Sequence, residues 1–371
     1  LTRKELAVVS YSRRFEKLRK LAADAGLEGI ILVPGPNLQY YAGVSSFLLE
    51  RPFLFFVGKD GPPHLVAPAL EVGPYLRSPV HILVHSWDDQ TGPGKAIEEA
   101  VQQLGIRRKW GLEGRMPYQY LSSLLKSSQP QVENAEPILQ RIRALKEPGE
   151  IELLQRAATI LSKSLVKIPD ILNIGMSEIE LARKVSEHIT LNGAESAEDV
   201  LVQSGPMAAD GHHQAGHRRI KQKESVVVDA SCTYSGYFAD ITRTFIIGKD
   251  PAFEKLYQNV LDSQLAAINA TQSGATVGSI DYAARGHLQQ SGLDKYFVHR
   301  TGHGLGLEVH EAPYIIPEGN EVVEASMVFT VEPGVYMHDQ TGLRIEDDVL
   351  VTRNGRKILS KSLPKEIGWW R

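Results

Sequence analysis

The sequence predicts two successive α/β units, a smaller one over residues 1–140 and a larger one over residues 141–371. Three observations lead to this reading. A chain of 371 residues is long for one core and comfortable for two. Short apolar runs alternate with amphipathic helical segments through the first part. From about residue 198 the texture changes to strand-like runs, several of them ending at an acidic residue, interleaved with two helices.

In the first unit, Phe15, Leu18, Leu21 and Ala22 recur with helical spacing over residues 12–25, closed by Gly26. Gly29–Val33 reads as a short buried strand stopped by Pro34. A helical segment near 37–42 is followed by strands at Phe53–Val57, His64–Ala67 and Val80–Val84. A helix at 93–104, a strand at Lys109–Leu112 and a helix near 117–126 complete the unit.

A connecting helix at 137–147 ends at the punctuation Lys146-Glu147-Pro148-Gly149, and Glu150–Lys167 continues as a long helix. Ser177 and Glu180 form a capping-box signature at the start of the next helix. Beyond it, strands are expected at Val226–Val228, Phe245–Ile247, Met327–Val331 and Leu343–Thr352, with helices at 251–271 and 276–290.

Composition narrows the function. Hydrophobic residues at 42% and charged residues at 23% describe an ordinary soluble globular protein. A formal net charge of -3 gives no reason to expect nucleic acid or an anionic membrane as partner. The basic run Arg218-Arg219-Ile220-Lys221 is short, lacks interleaved aromatics and reads as a solvated surface. The single cysteine, Cys232, excludes a disulfide framework, a CxxC pair or a thiolate zinc cluster within one chain, which suits a reducing cytoplasm. Leu1-Thr2-Arg3-Lys4 leads into a charged segment without the apolar core of a signal peptide. No apolar stretch reaches the ~18 residues of a membrane span.

Chemistry concentrates in the second unit. Asp229 ends the run Glu224–Val228, and Asp240 opens Ile241–Phe245. A hairpin between them sets the two carboxylates roughly opposite each other, about 5 Å apart at Cβ. Glu332 ends Met327–Val331, and Glu346 follows Gly342-Leu343-Arg344-Ile345. Folding about residue 339 again brings two acids face to face, with Arg344 on the same face as Glu346. Such clustered carboxylates call for cations between them. His299, His303 and His310 share a segment whose glycines around His303 imply closely packed backbone. Of His212 and His213, one is expected to serve the site and the other to face solvent.

Taken together, Asp229–Thr244 with its Gly236-Tyr237-x-x-Asp240-x-Thr242-Arg243-Thr244 pattern, His299–Glu311, Val331-Glu332-Pro333-Gly334-Val335-Tyr336 and Arg344-Ile345-Glu346-Asp347 resemble the pita-bread metallopeptidases. That family includes prolidase, aminopeptidase P and methionine aminopeptidase. Pro34–Gly43 is similar to the N-terminal domain of the proline-directed members. The resemblance implies a three-layer α/β N-terminal domain before a catalytic domain with a curved antiparallel sheet. Asp229, Asp240, His303, Glu332 and Glu346 fall on the metal ligands, with Glu332 also the general base. His212 and His310 fall on catalytic histidines, and His299 and Arg344 on substrate-binding positions.

By the same resemblance the cofactors are two divalent ions, Mn²⁺ or Co²⁺ ahead of Zn²⁺, and the substrate is a short peptide cut before proline. An Xaa-Pro dipeptidase is the leading expectation. The alternatives are an aminopeptidase P acting on longer peptides or a relative with a non-proline amide substrate. Gly211, His213 and Ser231 depart from the family's usual residues, all on the substrate side. The resemblance also implies a homodimer, and Tyr40, Tyr41, Phe47 and Trp87 are candidates either for its interface or for packing inside their own domain.

Overall fold

The computed structural model describes residues 10–105, 109–367 and 369; Leu1–Lys4, read above as lacking a leader's apolar core, lie outside them. The backbone divides between Arg143 and Ala144 into two compact units.

The first unit runs α1 (Tyr11–Asp24), β1 (Gly29–Leu32), α2 (Pro36–Ala42), β2 (Leu54–Gly58), β3 (His64–Pro68), β4 (Leu83–Trp87), α3 (Gly94–Leu104), β5 (Lys109–Leu112), α4 (Tyr118–Ser127), β6 (Gln131–Asn134) and α5 (Glu136–Ala144). Its six-stranded mixed sheet has the order β4-β3-β2-β1-β5-β6. β1, β2 and β3 are buried along their whole length, which is why they read as unbroken apolar runs.

Two differences from the sequence reading have simple causes. β4 begins at Leu83 rather than Val80, because its parallel register with β3 starts at the His64–Leu83 pair. β6 was not anticipated: all four of its residues are exposed, so this edge strand has no apolar alternation to betray it. The structure also chooses between the two placements open to the aromatics. Tyr40, Tyr41 and Trp87 are buried within their own unit, and only Phe47, 83% exposed, faces outward.

The second unit continues with α6 (Pro148–Leu165), α7 (Ile168–Ile171), α8 (Glu178–Leu191), β7 (Ser196–Ser204), β8 (Ser225–Tyr234), β9 (Tyr237–Ile246), α9 (Pro251–Ala270), α10 (Val277–Gln289), β10 (Gly302–Gly304), β11 (Glu311–Ile315), β12 (Val328–Val331), β13 (Gly334–Met337), β14 (Thr341–Arg344), β15 (Asp347–Thr352) and β16 (Gly355–Ile358). Reciprocal capping boxes start α6, through Glu147 and Glu150, and α8, through Ser177 and Glu180.

All strand pairings here are antiparallel, in sheets ordered β7-β8-β9, β11-β10-β12-β15-β16 and β13-β14. α9 and α10 supply an apolar face, including Tyr257, Val260, Ile280 and Ala284, to a core shared with Phe329, Val331, Leu343 and Val349. Among the described residues, no helix is long and apolar enough to cross a membrane.

Two registers decide where the acids fall. β8 and β9 turn at Ser235-Gly236, both at positive φ, so Asp229 pairs with Thr242 and Ser231 pairs with Asp240. The two aspartates are therefore diagonal rather than directly opposite, two ladder positions apart on the same face with the Ala230–Ile241 pair between them. The run 343–352 is not one strand. It breaks at Ile345-Glu346, with β14 pairing β13 and β15 pairing β12. The flanking pairs Gly334–Arg344 and Val331–Asp347 keep a common register, which puts Glu332 opposite Glu346.

Candidate metal centre

The break after β14 frees the backbone at Glu346 to reach sideways. The Glu346 N–H donates to the Thr242 carbonyl at 3.1 Å, joining this segment to β9. Thr242, opposite Asp229, donates its hydroxyl to Glu346 Oε2 at 2.6 Å and accepts from Arg344 Nε at 3.1 Å. One threonine thus locks both hairpins in a common frame.

Three overlapping groups result: Asp229, Asp240 and Glu346; His303, Glu332 and Glu346; and Asp240, His303 and His310. Within each group the ligand atoms lie within 4.8 Å of one another. The His303 Nε2 stands 3.3 Å from Glu332 and 3.7 Å from Asp240. Its Nδ1 faces the Gly304 carbonyl at 3.2 Å. Only a donor can face a carbonyl, so the proton sits on Nδ1 and the Nε2 lone pair points at the acids.

The glycines beside His303 have the expected cause. A Cβ on Gly302 would strike the Thr330 carbonyl of β12, and one on Gly304 the Ala312 carbonyl of β11. The histidine is carried on a strand squeezed between two others.

The electrostatics call for a cation. Burial first, then Asp229, holds Asp240 well above the usual carboxylate range. Burial first, then Asp240, does the same to Glu346. Burial raises Glu332 to about 7 against the opposing pull of Arg344. Burial, helped by the neighbouring His310, depresses His303 to about 3, which keeps its ring neutral. Four acids and a neutral imidazole with an inward lone pair make a donor set that fits hard or borderline divalent ions.

The other expected residues line the same cavity of about 670 Å³. The His310 ring meets His303 edge-on at 4.2 Å. His212 stands exposed at the cavity rim. His213 departs from expectation: instead of facing solvent, its Nε2 lies 3.0 Å from the buried Glu178 carboxylate. His299 directs Nδ1 to the Arg300 carbonyl at 2.7 Å, and its Nε2 accepts from the Tyr336 hydroxyl at 2.9 Å.

Arg344 is the largest departure. Its Nε, Nη1 and Nη2 are given to Thr242, Tyr336 and Asp229 respectively. Sequence reasoning assigned no role to Thr242 or Tyr336, although both lie in quoted motifs. Nor did it assign one to Asp348, which accepts from the Asp240 N–H at 3.3 Å. Asp348 adjoins Asp347 in the recognised segment, but its contact with Asp240 depends on the β9–β15 approach.

Residues 152–353 match the model of metallopeptidase family M24, and residues 14–145 match the creatinase/prolidase N-terminal domain. The chain belongs to metallopeptidase family M24. As an M24 protein it is 35% identical over 350 residues to a probable dipeptidase PepE of Mycobacterium tuberculosis, covering 93% of each chain. It is 30% identical to an Xaa-Pro dipeptidase of Pyrococcus horikoshii, covering 95% of this chain and 97% of that one. The crystal structure of dipeptidase PepE from Mycobacterium ulcerans superposes with a TM-score of 0.89 at 34% identity, covering 97% of each chain. The two units are the N-terminal α/β domain and the pita-bread catalytic domain of this M24 architecture.

Proposed function

We propose that this M24 protein is a metal-dependent Xaa-Pro dipeptidase, hydrolysing the bond before proline in a short peptide. The observation that supports it most directly is the convergence of four carboxylates and two imidazoles in one cavity. Similarity to dipeptidases over nearly the whole chain supports the substrate class.

We assign the metal ligands to Asp229, Asp240, His303, Glu332 and Glu346, holding two divalent ions. Their oxygen-rich character favours Mn²⁺ or Co²⁺, with Zn²⁺ next. When bound, such a pair polarises the scissile carbonyl and activates a water. Glu332 takes the proton from that water and passes it to the leaving nitrogen, which a proline amide, lacking N–H, requires. His212 and His310 donate to the oxygen that gains charge at the carbonyl carbon. His299 forms the adjoining wall and contacts the substrate. Arg344, committed to Asp229 and Tyr336, orients those groups rather than the substrate.

We further propose a cytoplasmic homodimer. The lone cysteine, buried and hence protected, suits a reducing compartment. Phe47, Leu48 and Leu49 form an exposed apolar run on the first unit, the kind of surface that a second copy covers. Sedimentation showing only monomer at micromolar concentration, with full activity, rejects the dimer.

Kinetics test the enzymatic reading. Chelated protein reloaded with Mn²⁺ or Co²⁺ is expected to cleave Xaa-Pro faster than Xaa-Pro-Yaa and to be inert without metal. Negligible dipeptide turnover beside efficient cleavage of longer peptides points to an aminopeptidase P instead. Full activity without metal rejects the mechanism.

A further inference from the structure

A dipeptide differs from a longer peptide by the carboxylate that lies one Cα beyond the scissile nitrogen. An enzyme that selects dipeptides needs a cation there with donors to spare. Two arginines line the cavity, Arg300 and Arg344. Arg344 is buried, and its three nitrogens already serve Thr242, Tyr336 and Asp229. Turning it toward a substrate would strip Asp229 of its partner at the moment Asp229 is needed.

Arg300 is built differently. It is half-buried, and among the described residues no carboxylate or carbonyl accepts from its guanidinium. Its guanidinium carbon sits 4.6 Å from the centroid of the Tyr314 ring. Stacking occupies a face of the guanidinium and leaves the in-plane N–H groups free to fork onto a carboxylate. Its main chain is anchored as well, since the Arg300 carbonyl accepts from His299 Nδ1 at 2.7 Å. Its positive charge is felt by His299, His303, His310 and Glu332, all of which line the same cavity.

We propose that Arg300, steadied by Tyr314, is the receptor for the C-terminal carboxylate of the dipeptide substrate. This rests on the dipeptidase reading and adds the group that makes the site select short peptides. Arg300 binds and orients, while the reaction itself stays with the ligand cluster.

The test compares an Xaa-Pro dipeptide with its C-terminal amide in the metal-loaded wild type, Arg300→Gln and Arg300→Lys. The wild type is expected to prefer the acid. Arg300→Gln should lose about 10- to 100-fold in kcat/KM on the acid, mainly through KM, the usual size for one charge-assisted contact. The acid-to-amide ratio should fall toward one, with Arg300→Lys in between. Metal content and circular dichroism verify that each variant is folded and loaded. An Arg300→Gln enzyme that keeps the acid preference overturns Arg300 as receptor while leaving the dipeptidase reading standing. A wild type that cleaves acid and amide equally well overturns the proposal without any variant. A wild type that cleaves only longer peptides overturns the dipeptidase reading and this inference with it.

Discussion

The Glu178 carboxylate lies 3.0 Å from the His213 imidazole, and this contact ties the start of α8 to the loop that carries His212. The same carboxylate accepts from the Ser204 N–H at 2.9 Å, the Ser204 hydroxyl at 2.7 Å and the Gly216 N–H at 3.3 Å. One buried acid gathers both ends of the loop. Glu178→Ala is expected to destabilise the protein by about 3 kcal/mol, since each stranded buried donor costs about 1–3 kcal/mol. His213→Ala takes one partner from the buried Glu178 carboxylate and should cost about 1–3 kcal/mol, while kcat/KM of the folded enzyme falls several-fold because His212 loses its fixed position. Thermal melts beside steady-state kinetics check both, and full activity in His213→Ala would sink the positioning role.

Arg344 offers a test of how the centre is oriented. Arg344→Lys keeps the charge but cannot serve Thr242, Tyr336 and Asp229 together. Metal affinity or kcat is expected to fall about 10- to 100-fold, the usual effect of losing a group that orients a ligand. Metal titration separates the two, and wild-type values for both would refute the assignment.

Lys146 and Glu311 form an ion pair of 2.7 Å with both side chains buried, and Glu311 adjoins His310. Lys146→Met removes the ammonium from a buried carboxylate and should cost about 3–5 kcal/mol. Denaturant unfolding reads this directly. A loss below ~1 kcal/mol would show that the pair is dispensable.

In the first unit two buried groups pull stability in opposite directions with pH. His64, beside His85 at 3.0 Å, is lowered to about 4 by burial and then by His85. Its unfolded form takes up a proton first, so its contribution is complete above about 6.5 and is lost as pH falls toward 4. Glu113 is raised to about 7, chiefly by burial. It holds its proton in the folded chain, so its contribution is complete below about 4.5 and is lost as pH rises through 7. Between pH 5 and 7, Glu113→Gln should steepen the fall in melting temperature on acidification, and His64→Gln should flatten or reverse it. Slopes that shift in the same direction in both variants would contradict this.

Metal itself is expected to stabilise. Divalent ions between Asp229, Asp240, Glu332 and Glu346 relieve the repulsion that lifts Asp240 and Glu346, so adding Mn²⁺ to chelated protein should raise the melting temperature. Glu332→Gln should abolish turnover with the fold retained; activity near that of the wild type would remove Glu332 as the base.

The sequence by itself determined most of the helices, the apolar strands and the acidic and histidine residues that gather in one cavity. Helical spacing at Phe15, Leu18 and Ala22, the Ser177–Glu180 capping box and the buried run of β1 are local signals, set by propensity and periodicity. Asp229, Asp240, His303, Glu332 and Glu346 were legible because the segments that carry them resemble the motifs of the M24 family. Tertiary structure alone decided their pairing. The Ser235-Gly236 turn shifts Asp229 to face Thr242, and the break at Ile345-Glu346 splits one apparent strand between two sheets. It also spent the donors of Arg344 on its neighbours and, among the described residues, gave the Arg300 guanidinium a ring to stack on but no carboxylate or carbonyl acceptor. Such outcomes depend on contacts between residues about a hundred positions apart, such as Thr242 with Glu346, and no local pattern encodes which partner a long polar side chain will meet.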